Sequence, residues 1–99
     1  MFVSGMPPID RETGQIRGGD IVTQTECCLE NVKAALEAAG SSMEKALKVH
    51  VYASNSAYYA TINRVYARYF PKDPPARTFI TVASWPMEFD IEIDCVALA

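Results

Sequence analysis

Two side chains in this sequence stand where they could do chemistry. Arg77 follows the stiff segment Pro74-Pro75-Ala76 and opens a β-branched run, Thr78 to Val82. That placement fixes a guanidinium near a strand end, where it can clamp a carboxylate through two parallel hydrogen bonds. The same placement also suits a surface arginine or a salt bridge. Glu92 stands between Ile91 and Ile93 and shares a strand face with Asp94, Val96 and Leu98. A carboxylate among apolar neighbours must be paired, protonated or at work, unless it is an acid that keeps an edge strand from pairing with another chain. The edge role suits Asp94 better.

Other reactive types carry less. His50 is the one histidine, so a scheme needing two is excluded; it has no metal-spaced partner and reads as a packed or solvated side chain. Cys27, Cys28 and Cys95 are an odd count without CxxC or Cys/His spacing. This argues against a disulfide framework or a zinc site and for a reducing compartment. Cys28 reads as a small core residue with no base to activate it. Tyr58, Tyr59, Tyr66 and Tyr69 read as core plus helix surface rather than a stacking platform. No phosphate loop, GxSxG or HExxH occurs.

The elements that must position these residues follow from pattern. Phe2 to Met6 reads as a short strand ended by Pro7-Pro8. Asp20 stands at a helix N-cap, and Val22, Cys28, Leu29, Val32, Leu36 and Ala39 recur at helical spacing up to Gly40, the expected left-handed stop. Ser41 to Glu44 resembles a capping box. In the next strand Leu47, Val49 and Val51 point one way, and Lys48, His50 and Tyr52 the other. Ser54-Asn55-Ser56 offers a cap for a second helix with the stripe Tyr59, Ile62, Tyr66 and Tyr69, ended by Pro71 and Pro74-Pro75. Two strands close the chain, Thr78 to Val82 and Ile91 to Ala97, and the final pair is expected to be antiparallel.

The whole is one domain of 99 residues with net charge −3. Without a basic run, a nucleic-acid binder that neutralises phosphates is not expected. No apolar stretch is long enough to span a membrane, and Met1 to Gly5 has no signal-peptide pattern, so the expected location is the cytoplasm. Two helices can cover one face of a four-strand sheet. Yet Phe79 and Ile80 point opposite ways, as do Ile93 and Val96. A partner subunit on the second face is the economical answer, the alternative being a half-exposed sheet with scattered apolar residues.

In combination, Val3-Ser4-Gly5, Gly19-Asp20-Ile21, Glu37-Ala38-Ala39-Gly40, Asn63-x-x-Tyr66-x-x-Tyr69-Phe70, Pro75-Ala76-Arg77-Thr78 and Ile91-Glu92-Ile93 resemble the Rid (YjgF) family of enamine/imine deaminases. The resemblance runs the length of the chain. It implies an α+β, chorismate-mutase-like fold, with a mixed sheet and two helices on one face, assembled as a homotrimer with clefts between subunits. It implies that Arg77 holds a substrate carboxylate and that Glu92 activates the hydrolytic water. Phe79, Asn63, Ser4 and Gly5 fall at the remaining cleft positions. The implied partner is a 2-imino or 2-keto acid, with no cofactor and no metal. Members of the family have about two dozen residues before the Ser-Gly strand, so the expectation is that the first strand is missing here. Met6, Phe79 and Trp85 depart from the family pattern in ways that reshape the pocket. The enzymatic reading requires Arg77 and Glu92 to face one cleft between subunits, and it fails if they lie on opposite sides of the sheet. The competing reading is a non-catalytic carboxylate-binding or regulatory trimer, beside relatives described as translation inhibitors with ribonuclease activity or as chaperone-like proteins.

Overall fold

The long helix is set by its ends and one face. In the computed structural model, which describes residues 1–99, helix α1 spans Ile21–Ala38. Asp20 Oδ1 accepts from the Thr23 N–H at 2.8 Å, and that bond holds the Asp20 carboxyl below its ordinary value. Gly40 ends the helix at φ 85°, a left-handed conformation that glycine adopts without a Cβ penalty. Cys28, Leu29, Val32 and Leu36 are the buried stripe, each large aliphatic contributing about 1.5–3 kcal/mol on burial. Ala39 is instead the exposed C-cap. The one helical turn that Ser41 to Glu44 suggests forms as a short 3-10 turn, Met43–Lys45, but without the capping box: Ser42 makes no side-chain cap bond, and Ser41 Oγ donates to the Leu98 carbonyl.

Strands β1 (Phe2–Met6), β2 (Ala46–Ala53), β3 (Ala76–Thr81) and β4 (Ile91–Ala97) form one sheet in the order β1-β4-β2-β3. β2 and β3 are parallel, and β4 is antiparallel to both β1 and β2. The last two strands in sequence are therefore not neighbours, contrary to expectation, because β4 inserts between β1 and β2. Helix α2 (Tyr59–Tyr69) buries Ile62, Val65 and Tyr66, while Tyr59 lies out over the sheet edge.

Register fixes which side chains share a face. Val49 stands between Arg77 and Cys95, and Val51 between Phe79 and Ile93; these rows face the helices, and all but Arg77 and Phe79 are fully buried. On the other face His50 stands between Thr78 and Asp94, and Tyr52 between Ile80 and Glu92. Nothing in the chain covers this face, and Phe2 (86% exposed) and Ile80 (46%) project from it. Leu47 does not join Val49 and Val51 inside: the β2–β4 register shifts between Ala46 and Lys48, and Leu47 is exposed.

Buried polar side chains tie the loops down. Gln24 donates to the Gly19 carbonyl and to Asp90, and accepts from the Asp90 N–H at 2.8 Å. Ser54 donates to the other Asp90 oxygen. Asn31 donates to the Ile9 carbonyl at 2.8 Å.

Candidate functional site

Arg77 rises from edge strand β3 on the helix-covered face. Its guanidinium carbon lies 4.8 Å from the centre of the Tyr66 ring and 5.8 Å from those of Tyr59 and Phe79. The cation thus sits in an aromatic bed whose ring faces attract it. Tyr59 and Phe79 meet edge-to-face at 4.9 Å and 81°. The bed follows from helix spacing: Tyr59, Asn63 and Tyr66 are four and then three residues apart, so one stripe of α2 overlies Arg77. Burial pushes the Tyr66 phenol up to about 12 against the opposing pull of Arg77, which keeps the phenol neutral beside the cation. Tyr66 Oη and Asn63 Oδ1 are both buried without a hydrogen-bond partner. Arg77 takes part in neither of the chain's two ion pairs. A half-buried guanidinium with no counter-charge can accept a carboxylate.

Glu92 projects from the uncovered face. Its carboxylate lies against the Cα of Gly5, so closely that a Cβ there would come 2.6 Å from Oε2 and 2.7 Å from Cδ. Between Val3, paired with Cys95, and Met6, paired with Ile93, the two residues Ser4 and Gly5 oppose the single residue Asp94. This bulge turns Ser4 and Gly5 toward the uncovered face. Glu92 takes part in neither ion pair. Its neighbour Asp94 differs: Oδ1 is 2.7 Å from His50 Nδ1, and Oδ2 accepts from the Tyr52 hydroxyl at 3.0 Å. His50 and Tyr52 stack with their planes 18° apart. Burial and the bond to Asp94 raise the Tyr52 phenol. Both oxygens of Asp94 are occupied, whereas those of Glu92 are free to engage a water molecule.

The six residues expected to form a site therefore separate into two groups. Arg77, Phe79 and Asn63 gather at the α2–β3 edge; Glu92, Gly5 and Ser4 gather beneath the β1 bulge. Arg77 and Glu92 face opposite sides of the same sheet, the arrangement expected to defeat the enzymatic reading. That expectation is corrected, because it holds only for a cleft built within one chain. A cleft holding both would need two copies, the face of one meeting the edge of another. Sequence reasoning missed Tyr59 and Tyr66 as the guanidinium's support, although their spacing around Asn63 signals it. It also missed the His50–Asp94–Tyr52 network, which becomes visible only once β4 is placed beside β2. Burial raises the thiols of Cys27, Cys28 and Cys95, which disfavours their thiolates. No group of three or more His, Cys, Asp or Glu side chains is placed to hold a metal ion.

This pattern has counterparts among known proteins. The chain matches the family described as Endoribonuclease L-PSP over residues 1–99, and it belongs to that family, which is also called YjgF, RutC or Rid. It is 45% identical over 97 residues to a RutC family protein of Pyrococcus horikoshii, covering 98% of this chain and 77% of the other. It is 35% identical to the chloroplastic Reactive Intermediate Deaminase A of Arabidopsis thaliana, covering 98% of this chain and 52% of the other. Among solved structures it is similar to E. coli TdcF, determined with bound serine, at 36% identity and a TM-score of 0.92, covering 99% and 79% of the two chains. The α+β fold with its four-stranded sheet and two helices agrees with these structures. No helix is long and apolar enough to cross a membrane.

Proposed function

We propose that the chain is a subunit of a homotrimer that hydrolyses 2-imino acids, formed from enamines, to 2-keto acids and ammonia without a cofactor. Each cleft lies between subunits, with Arg77, Phe79 and Asn63 from one copy and Glu92, Gly5 and Ser4 from the next. The observation that carries this reading is the pair of unpartnered, opposite charges on opposite faces of one sheet. Each is half-buried, each lacks a counter-ion, and only a second copy can bring a guanidinium and a carboxylate into one cleft. The uncovered face, with Phe2 and Ile80 exposed, supplies the surface such an assembly would cover.

In this scheme Arg77 binds the substrate carboxylate through two parallel hydrogen bonds and sets the C=N carbon against a water molecule, chiefly a proximity effect. Glu92 accepts a proton from that water as its oxygen adds to the carbon. Glu92 returns that proton to the imine nitrogen, which completes the carbinolamine; it then takes the proton of the carbinolamine hydroxyl and passes it to nitrogen as the keto group forms, the C–N bond breaks and ammonia leaves. The kinship with a protein named a deaminase supports this choice within a family that also carries an endoribonuclease name. The net charge of −3 disfavours a phosphate-binding role. Three unpaired cysteines accord with a reducing cytoplasm.

Serine bound to TdcF supports a second reading, a trimer that binds small carboxylates without turnover. Mixing two impaired variants tests the first. Arg77→Ala and Glu92→Gln each strongly lower hydrolysis of 2-iminobutanoate at sub-saturating substrate, and random reassembly of the two regenerates about one quarter of the clefts in a cyclic trimer. Activity in the mixture at that level supports the shared cleft. A mixture no more active than its parents overturns it, and a wild-type protein that binds keto acids without hydrolysing imines establishes the second reading.

A further inference from the structure

The contact between Gly5 and Glu92 has a chemical consequence. Glu92 is the one acid of the uncovered face left without a partner, since Asp94 is held on both oxygens by His50 and Tyr52. No hydrogen bond or cation fixes its carboxylate. What locates it is space: the carboxyl group and Cγ occupy the volume a side chain at residue 5 would fill, with Cγ 3.2 Å from the position of that absent Cβ. Gly5 is present at no conformational necessity of its own, because it is not among the glycines with positive φ. The bulge directs its missing side chain toward Glu92, and the glycine is required by what lies in that direction.

We propose that Gly5 is a positioning residue: its bare Cα forms the niche that sets the Glu92 carboxylate at the point from which it acts on water. This differs from a role in touching the substrate, and it rests on the assignment of Glu92 to turnover. The three atoms that a methyl group at residue 5 meets first all belong to the flexible side chain of Glu92, so the carboxylate is the group that must move. Residue 5 thereby sets the place of the proton acceptor without taking part in proton transfer.

The test is a double-variant cycle read in kcat and KM for 2-iminobutanoate hydrolysis, beside carboxyl-carbon NMR. Gly5→Ala lowers kcat roughly 10- to 100-fold with KM within about twofold, the penalty of a misplacement near 1 Å. Glu92→Asp alone also slows turnover. In the Gly5→Ala background, however, it withdraws the carboxylate by one methylene and makes the double variant faster than Gly5→Ala alone. Gly5→Ala also moves the Glu92 carboxyl resonance and leaves that of Asp94 in place, a result that needs no activity. An unchanged kcat in Gly5→Ala, losses that simply multiply, or an unmoved Glu92 resonance overturns the proposal. If Glu92→Gln hydrolyses imines at the wild-type rate, the assignment of Glu92 to turnover fails instead, and the resonance still decides whether Gly5 places the carboxylate.

Discussion

The Arg77 edge and the Glu92 niche are built on opposite principles. Arg77 is surrounded: three aromatic rings from α2 and β3 lie within 5.8 Å of its guanidinium carbon, and Tyr66, 7% exposed, belongs to the core. Glu92 is located by an omission, the side chain that Gly5 lacks. The first half is therefore coupled to folding, since changing its supports changes the packing of α2 on the sheet. The second is nearly independent of folding, since its carboxylate stands on the uncovered face with nothing in the chain packed over it. The proposed binding group, held by core packing, and the proposed proton acceptor, beside a vacant niche, can be varied separately, and that separation can be tested.

The largest expected effect is on turnover. Glu92→Gln lowers kcat by about 10²- to 10⁴-fold, the range of general acid–base catalysis, while 2-keto acid affinity measured by calorimetry stays within a few-fold. Its thermal unfolding shifts by no more than about 0.5 kcal/mol, as for a surface position. Loss of affinity in that variant would merge the two halves and break the comparison. Next comes Arg77→Ala, which removes charge-assisted hydrogen bonds worth about 1.5–3 kcal/mol. It weakens 2-keto acid binding roughly 10- to 100-fold, and Arg77→Lys recovers only part because an ammonium cannot make the bidentate pair. Equal binding by wild type and Arg77→Ala would remove Arg77 from the site.

Stability separates the halves next. Tyr66→Leu takes away a buried ring and the face on which the guanidinium rests, costing about 2–3 kcal/mol in urea unfolding, toward the low end for large-to-small core changes. Alkaline pH acts on the same residue. Unfolded, the Tyr66 phenol titrates near its ordinary 10.0; folded, burial holds it to about 12. Between those values the folded chain binds the extra proton. Stability is therefore fully present below pH 10 and falls as pH rises toward 12. Urea midpoints at stepped alkaline pH check the slope, and Tyr66→Phe lessens it.

What the sequence made legible is local. Asp20 caps its helix and Gly40 stops it because both act within one turn. The alternation of Ile91, Ile93 and Cys95 against Glu92, Asp94 and Val96 sorted the two faces correctly because a strand's period is two wherever it pairs. What failed is non-local. No feature of Ile91 to Ala97 says that it inserts between β1 and β2, so the Asp94–His50 contact, 44 residues apart in sequence, was invisible. The same holds for Leu47, exposed by a register shift that only the partner strand defines, and for the bulge that directs Gly5 toward Glu92. Type and resemblance singled out the six candidate residues; only the sheet order divided them between two faces.

The smallest expected effect is the most discriminating about the Arg77 half. Tyr66 Oη is buried with no hydrogen-bond partner, so it carries the desolvation cost of a polar group without the return a bond would give. Removing it in Tyr66→Phe keeps the ring and its place under the guanidinium. The change is thus neutral or stabilising by up to about 1 kcal/mol at neutral pH, the opposite sign from a bonded buried hydroxyl. Keto acid affinity stays within about twofold if the ring face alone supports Arg77. A loss of more than tenfold in affinity at unchanged stability would show that the hydroxyl is held unpaired for the ligand, and the Arg77 edge would then contain a second recognition group beside the guanidinium.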